Sequence, residues 1–182
     1  MSDFDDVKLV RECLNGNTKA FETIIDRYQK PVFNTALRMV NVLEDAQDIT
    51  QSVFVKAFEK LDMYNPKYKF FSWIYRMTVN DSINFIKQKK YNEEIDSQVV
   101  ALEKTPEERF EESDLREKIG KALMSLQIDY RAVIILRHFE QFSYREISYI
   151  LDTPEKIVKS RLYTARQKLK EVLLKKGIQN HA

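Results

Sequence analysis

The chain is poor in the residues that most often do chemistry or brace small folds. In 182 residues it has one cysteine, Cys13, and two histidines. A single thiol closes no disulfide within the chain, and with two imidazoles it falls short of an ordinary zinc set. Neither a Gly-rich phosphate loop nor a Ser-His or Cys-His pairing is present, so the sequence predicts no cofactor, no bound metal and no enzyme. Three glycines and four prolines leave little room for a turn-rich β fold. No apolar run approaches eighteen residues, and the acidic start MSDFDDVKLV lacks the basic-then-apolar order of a signal peptide. These absences predict a cytoplasmic protein without membrane insertion. The net charge of +2 is uninformative until it is divided along the chain.

What remains is all-α. A hydrophobic share of 43% with 32% charge is enough to bury a core, and the length suits one large or two small helical domains. Cys13, three residues after Val10, reads as a small core residue. Phe21, Ile24, Ile25 and Tyr28 form one apolar stripe, and Ala46, Ile49, Val53, Ala57 and Leu61 form another. Gly16-Asn17 breaks the first helical region, and Pro31 predicts a kink or boundary. Tyr64 to Phe71 contains Asn65-Pro66 and reads as a loop, after which Ser72 is placed to cap a helix running to about Lys90. From Asn92 to Arg116, nine acidic residues face three basic ones and Thr105-Pro106 interrupts any helix, which predicts a linker. A second helical unit begins near Ser113 with the stripe Leu115, Ile119, Ala122, Leu126. The expected division is 1–91, an acidic linker at 92–112, and 113–182.

The sharpest signal lies between Ser143 and Leu169. Ile147, Ile150 and Leu151 give a short helix one apolar side, Asp152-Thr153 interrupts it, and Pro154 suits the first turn of the next. Val158, Leu162, Ala165 and Leu169 recur at steps of four, three and four, one face of a second helix. Together they predict a helix-turn-helix. From Lys156 to Lys176 there are eight basic residues and one acidic, Glu171. A merely solvated helix face mixes signs, so the basic excess favours a helix that enters a DNA groove.

A second cluster is aromatic. Six of the twelve residues from Tyr64 to Tyr75 carry rings. Lys67, Lys69, Arg76, Lys87, Lys89 and Lys90 lie among or just after them, with Asp81 the only acidic residue from Lys67 to Tyr91. Interleaved rings and cations suit single-stranded DNA, giving stacking faces for bases and positive charge for phosphates. An aromatic mini-core beneath a loop explains the same rings equally well, and some of them must pack.

These segments resemble bacterial sigma factors of the extracytoplasmic-function group. DAQDITQSVFVKAFEKL, Asp45 to Leu61, is similar to that family's polymerase-clamp helix, whose usual form is close to DAEDIVQEVFLKAW. FFSWIYRMTVNDSINFIKQKK, Phe70 to Lys90, resembles its promoter-melting helix. The run from Ala122 to Leu169 resembles the domain that reads the minus-thirty-five element. The match spans nearly the whole chain in the family's order.

The resemblance implies roles residue by residue. Asp45, Asp48 and Gln51 fall on core-polymerase-binding positions. Asn80 falls on the melting-helix asparagine, and with the rings and cations Tyr64, Lys67, Tyr68, Lys69, Phe70, Trp73, Arg76 and Lys87 read above it completes the minus-ten, single-strand set. Arg145, Glu146, Lys159, Ser160 and Tyr163 fall on minus-thirty-five positions, and Lys156, Arg161, Thr164 and Arg166 join that set from the polar and basic side of the second helix. The chain departs from the pattern where Lys156-Ile157 stands for a common Gly-Thr, Thr164 for a frequent arginine and Gln127 for a usual proline. The implied partners are the clamp and flap of core RNA polymerase and promoter DNA; family members are often also held by an anti-sigma factor. The acidic linker would thread a basic polymerase channel. A stand-alone helix-turn-helix regulator is the competing expectation, and it predicts tight duplex binding without polymerase.

Overall fold

A computed structural model describes the backbone of residues 3–96 and 111–175. Eight α-helices account for most of them: α1 (Asp3–Leu14), α2 (Lys19–Val40), α3 (Leu43–Glu59), α4 (Phe70–Asp96), α5 (Glu111–Met124), α6 (Ile128–Ile134), α7 (Tyr144–Leu151) and α8 (Glu155–Lys175). Among the described residues there is no β-strand. The all-α expectation therefore holds.

The first four helices pack mainly on one another, α2 against α1, α3 and α4. The face of α2 that does this is Ala20, Phe21, Ile24, Tyr28, Val32, Ala36 and Met39, all buried. Its steps of three and four keep one side of a helix continuously apolar. Pro31 does not end α2, contrary to the expected boundary; it sits inside a 22-residue helix. Asn41 ends that helix in a left-handed conformation (φ 59°), with its N–H on the Leu37 carbonyl at 2.7 Å. Asparagine tolerates this region better than most residues. At the other end of the group, buried Asp6 accepts hydrogen bonds from Arg27 and the Tyr28 hydroxyl and ties α1 to α2. Burial, then Asp6, pushes the Tyr28 phenol well above its ordinary range. Cys13 is a core residue, as expected, and burial pushes its thiol up.

Helix α4 starts two residues earlier than Ser72 and runs past Lys90. The Trp73 N–H reaches the Lys69 carbonyl at 3.2 Å, so Ser72 lies inside the first turn, buried, and does not cap it. The start is displaced because Phe70 is the residue that docks, its ring against Tyr28, Tyr64 and Trp73 at 5.3–5.7 Å between centroids. Residues 92–96, expected in the linker, continue α4, and α5 begins at Glu111; the rest of the acidic segment lies outside the described residues.

Helices α5 to α8 form the second group, with α8 packed against α5, α6 and α7. Helix α6 continues into a π-helical turn, Ile135–Phe139. Its widened register lets buried Ile135 and Leu136 face the core while Arg137 and His138 turn outward. Gln141 then reverses the chain with φ 59°. Ser143 caps α7 by a full capping box: its hydroxyl accepts from the Glu146 N–H, and the Glu146 carboxylate accepts from the Ser143 N–H at 2.9 Å. Asp152 closes α7 in the left-handed region (φ 50°), and α8 follows after Pro154. Val158, Leu162 and Ala165 are buried as their spacing required.

The two groups share one hydrophobic core. Phe142 stacks on Phe71 and meets Tyr75 edge-on, each at 5.0 Å. Glu140 accepts from the Tyr75 hydroxyl at 2.7 Å and lies 3.4 Å from Arg38. Buried Arg131 donates to the carbonyls of Leu123, Met124 and Leu126 in its own group and to Met39 of α2. Helices α4 and α7 lie directly against each other.

Candidate nucleic-acid interfaces and an apolar groove

The basic face of α8 is the most open of the predicted sites. Lys156, Lys159, Ser160, Tyr163 and Arg166 are exposed, and Arg161 and Thr164 are half-buried beside them. Helix periodicity fixes this arrangement, since Val158, Leu162 and Ala165 take the inward side. The cations are braced from below. Lys159 and Arg137 both lie over the Tyr144 ring, at 5.4 and 5.2 Å, and Arg161 meets Asp129 at 3.3 Å. Arg166 donates from Nε to His138 Nε2 at 3.1 Å. Burial, with the cations of Arg166 and Arg137 nearby, holds His138 below its ordinary pKa, so the neutral, accepting ring is favoured. Arg145 is exposed at the start of α7, whereas Glu146 is engaged in the cap and with Lys69 at 3.3 Å. Burial alone would raise the Glu146 carboxyl; hydrogen bonds from Ser143 and Lys69 outweigh it and hold the group below the usual range.

The aromatic cluster divides. Tyr64, Phe70 and Trp73 are core residues with rings packed on one another, so in this conformation they offer no face to a base. They set the loop instead: the Tyr64 hydroxyl donates to the Tyr68 carbonyl at 2.7 Å. Lys67, Tyr68, Lys69, Asn80 and Lys87 are exposed, and Arg76 is half-buried. Tyr68 stacks on Tyr149 of α7, 4.0 Å between centroids at 16°. Arg76 donates to the Tyr149 carbonyl at 2.7 Å and meets Asp152 at 3.4 Å. Asp81, the one acid in this stretch, is neutralised by Lys56 at 2.7 Å.

The three carboxylate and amide positions of α3 also differ from one another. Asp48 and Gln51 are exposed, while Asp45 is half-buried and paired with Lys89 of α4 at 3.0 Å. Next to Gln51 the structure reveals what the sequence reading missed: a groove of about 890 Å³ between α2 and α3, floored by Phe21, Ile25, Phe33, Phe54, Val55 and Phe58. Val55 and Phe58 are 52% and 48% exposed. Gln51, Val55 and Phe58, spaced four and three, share an outer face of α3, a pattern that could have been read beside the buried stripe.

A helix-turn-helix whose second helix carries an exposed basic face is the architecture of a transcription factor. Two family descriptions match the chain, Sigma-70 region 2 over residues 24–91 and Sigma-70, region 4 over residues 116–169. The chain is 30% identical to the ECF RNA polymerase sigma factor SigW of Bacillus subtilis (strain 168), over 91% of this chain and 95% of that one. It is 31% identical to the ECF RNA polymerase sigma-E factor of Escherichia coli (strain K12), over 89% and 91%. The fold is that of CnrH solved with the cytosolic domain of CnrY (TM-score 0.73, 23% identity, covering 93% and 97%). It is also that of the sigma factor RpoE solved with the anti-sigma factor NepR from Bartonella quintana (TM-score 0.70, 24% identity, covering 85% and 97%). The chain belongs to the ECF group of sigma-70 family RNA polymerase sigma factors, and its function is to direct transcription. No helix among the described residues is long and apolar enough to cross a membrane.

Proposed function

We propose that this sigma factor divides promoter recognition between its two helical groups, residues 1–91 holding polymerase and the minus-ten strand and residues 113–182 holding minus-thirty-five duplex. The observation that carries the reading is the exposed basic face of α8, which presents Lys156, Lys159, Ser160, Tyr163 and Arg166 along one side of a helix preceded by a tight turn. A helix of this width fits the major groove, where Lys and Arg recognise phosphates and guanine edges. Arg145 flanks the same duplex from α7, and Arg161 and Thr164 border the reading face.

The strand-capturing set narrows to Lys67, Tyr68, Lys69, Arg76, Asn80 and Lys87. Tyr68 supplies a stacking face, the cations neutralise phosphates, and the Asn80 amide offers donors and an acceptor to an unpaired base. Tyr64, Phe70 and Trp73 hold the loop in shape. On α3, Gln51 lines the groove whose apolar floor includes Val55 and Phe58, and Asp48 lies on the adjoining surface beside Gln51 and Val55. An apolar groove with the Asp48 carboxylate on the surface beside it suits a basic, partly apolar coiled coil on the polymerase clamp. An anti-sigma factor is a further expected partner, by analogy with the two solved complexes.

The test is run-off transcription from a promoter obtained by selection, with core RNA polymerase in the presence and absence of this chain, beside direct measurement of core binding. Initiation that depends on the chain and falls at least tenfold with Lys159→Ala or Asn80→Ala supports the reading. Strong duplex binding without core binding would replace it with a stand-alone regulator.

A further inference from the structure

In the free protein, α7 occupies the strand-capturing loop. We infer that α7 acts there as an internal mimic of single-stranded DNA, so that the minus-ten strand and the helix-turn-helix compete for one set of residues and the free sigma factor is self-inhibited. The inference rests on the strand-capture reading above.

The geometry supports the mimicry group by group. The Tyr149 ring lies flat on Tyr68 at 4.0 Å and 16°, as an unstacked base would. Two carboxylates flank that ring as phosphates flank a base: Glu146 on Lys69 at 3.3 Å and Asp152 on Arg76 at 3.4 Å. Arg76 is saturated further by the Tyr149 carbonyl at 2.7 Å, and its guanidinium lies 5.3 Å from the Tyr149 ring centre. A ring and two anions on α7 and its C-terminal cap thus answer a ring and a cation on the loop and a second cation, Arg76, in the first turns of α4. The cost falls on both DNA sites, because α7 is also the first helix of the helix-turn-helix. While it is seated on α4, the turn at Asp152-Thr153 that leads into α8 is held against the melting helix.

The position is locked from behind. Phe142, two residues before α7 begins at Tyr144, packs on Phe71 and Tyr75, and Glu140 ties Tyr75 and Arg38 to the same strip of chain. Single-stranded DNA therefore has to displace a contact with its own shape and charge, and the two ligands are linked reciprocally.

The experiment uses the full chain carrying dyes on cysteines placed at exposed Asp26 and Lys170, with Cys13→Ala, and labelled oligothymidylate as the strand probe. The variant is Tyr149→Leu with Asp152→Asn. Leucine keeps apolar bulk without a stacking ring, asparagine tolerates the left-handed turn, and Ser143 and Glu146 keep their cap. Expected are a longer dye-to-dye distance and at least tenfold tighter oligothymidylate binding in the variant. On the unsubstituted protein, saturating oligothymidylate should itself lengthen the distance, a readout that does not depend on any substitution at α7. A variant that stays closed, one that opens without gaining affinity, or an oligonucleotide that binds the closed form without lengthening it, each overturns the inference. Failure of the strand-capture reading is seen separately, as holoenzyme run-off transcription unchanged by Arg76→Ala.

Discussion

Replacing Arg131 by methionine tests the energetics of the fold most directly. The guanidinium is 7% exposed and donates to four main-chain carbonyls: Leu123, Met124 and Leu126 at the end of α5, and Met39 near the end of α2. Hydrogen bonds from a charged donor contribute about 1.5 kcal/mol each at the low end, so four give roughly 6 kcal/mol. Against this, burial lowers the group's pKa from 12.5 to about 10, which corresponds to roughly 3 kcal/mol lost by the charged form. The difference predicts that Arg131→Met destabilises the protein by about 3 kcal/mol, or about 6–12 °C in Tm for a chain of this size. Urea unfolding followed by far-UV circular dichroism and by the fluorescence of Trp73, the sole tryptophan, measures it. Trp73 lies in the other helical group, so a shared core predicts that both probes shift together. A loss below about 1 kcal/mol, with helix carbonyls left without their donor, would refute the reasoning.

Three further outcomes are expected. Ser143→Ala removes the hydroxyl that accepts from the Glu146 N–H, the side-chain half of the α7 capping box, and should lower stability by about 1 kcal/mol, read as a reduced urea midpoint with unchanged slope. His138 has a folded pKa below its ordinary 6.5, so its contribution is complete above that value and is lost as pH falls through it toward the folded pKa; the loss should vanish in His138→Gln, and an NMR titration of the ring checks the direction. Phe58→Asp, on the exposed wall of the apolar groove, should weaken core polymerase binding about thirtyfold if Phe58 is worth the roughly 2 kcal/mol of an aromatic hot spot, with little change in Tm.

The helices of this chain were readable because their buried faces repeat locally. Val158, Leu162 and Ala165, or Ala46, Ile49 and Val53, announce a helix and its inward side within a dozen residues. Boundaries set by tertiary packing were harder. Ser72 looked like a cap, but the aromatic pocket around Phe70 draws the helix start back past it. Pro31 allowed a kink or a boundary, and the packing of α2 on three other helices rules out the boundary by carrying the helix through. The site split along the same line. The face of α8 follows from periodicity, whereas the division of the aromatic cluster into core rings and one exposed stacking ring depends on which ring finds which neighbour. The contact of α7 with the loop was illegible because its participants, Arg76 and Asp152 among them, are far apart in sequence and each resembles an ordinary surface charge. Val55 and Phe58 hid beside a stripe that already satisfied the helix.

The continuity of the core through Phe71, Tyr75 and Phe142 sets a toll on any encounter that needs the two helical groups apart. A partner that requires the two helical groups apart binds only the fraction of molecules already open, and its apparent dissociation constant rises by the reciprocal of that fraction. An opening free energy of about 3 kcal/mol would leave fewer than roughly one molecule in a hundred competent and weaken apparent affinity more than a hundredfold. Substitutions at Phe142 or Glu140, which are not among the predicted DNA-contacting or polymerase-contacting residues, would therefore tune how much of this sigma factor a cell needs before its promoters respond.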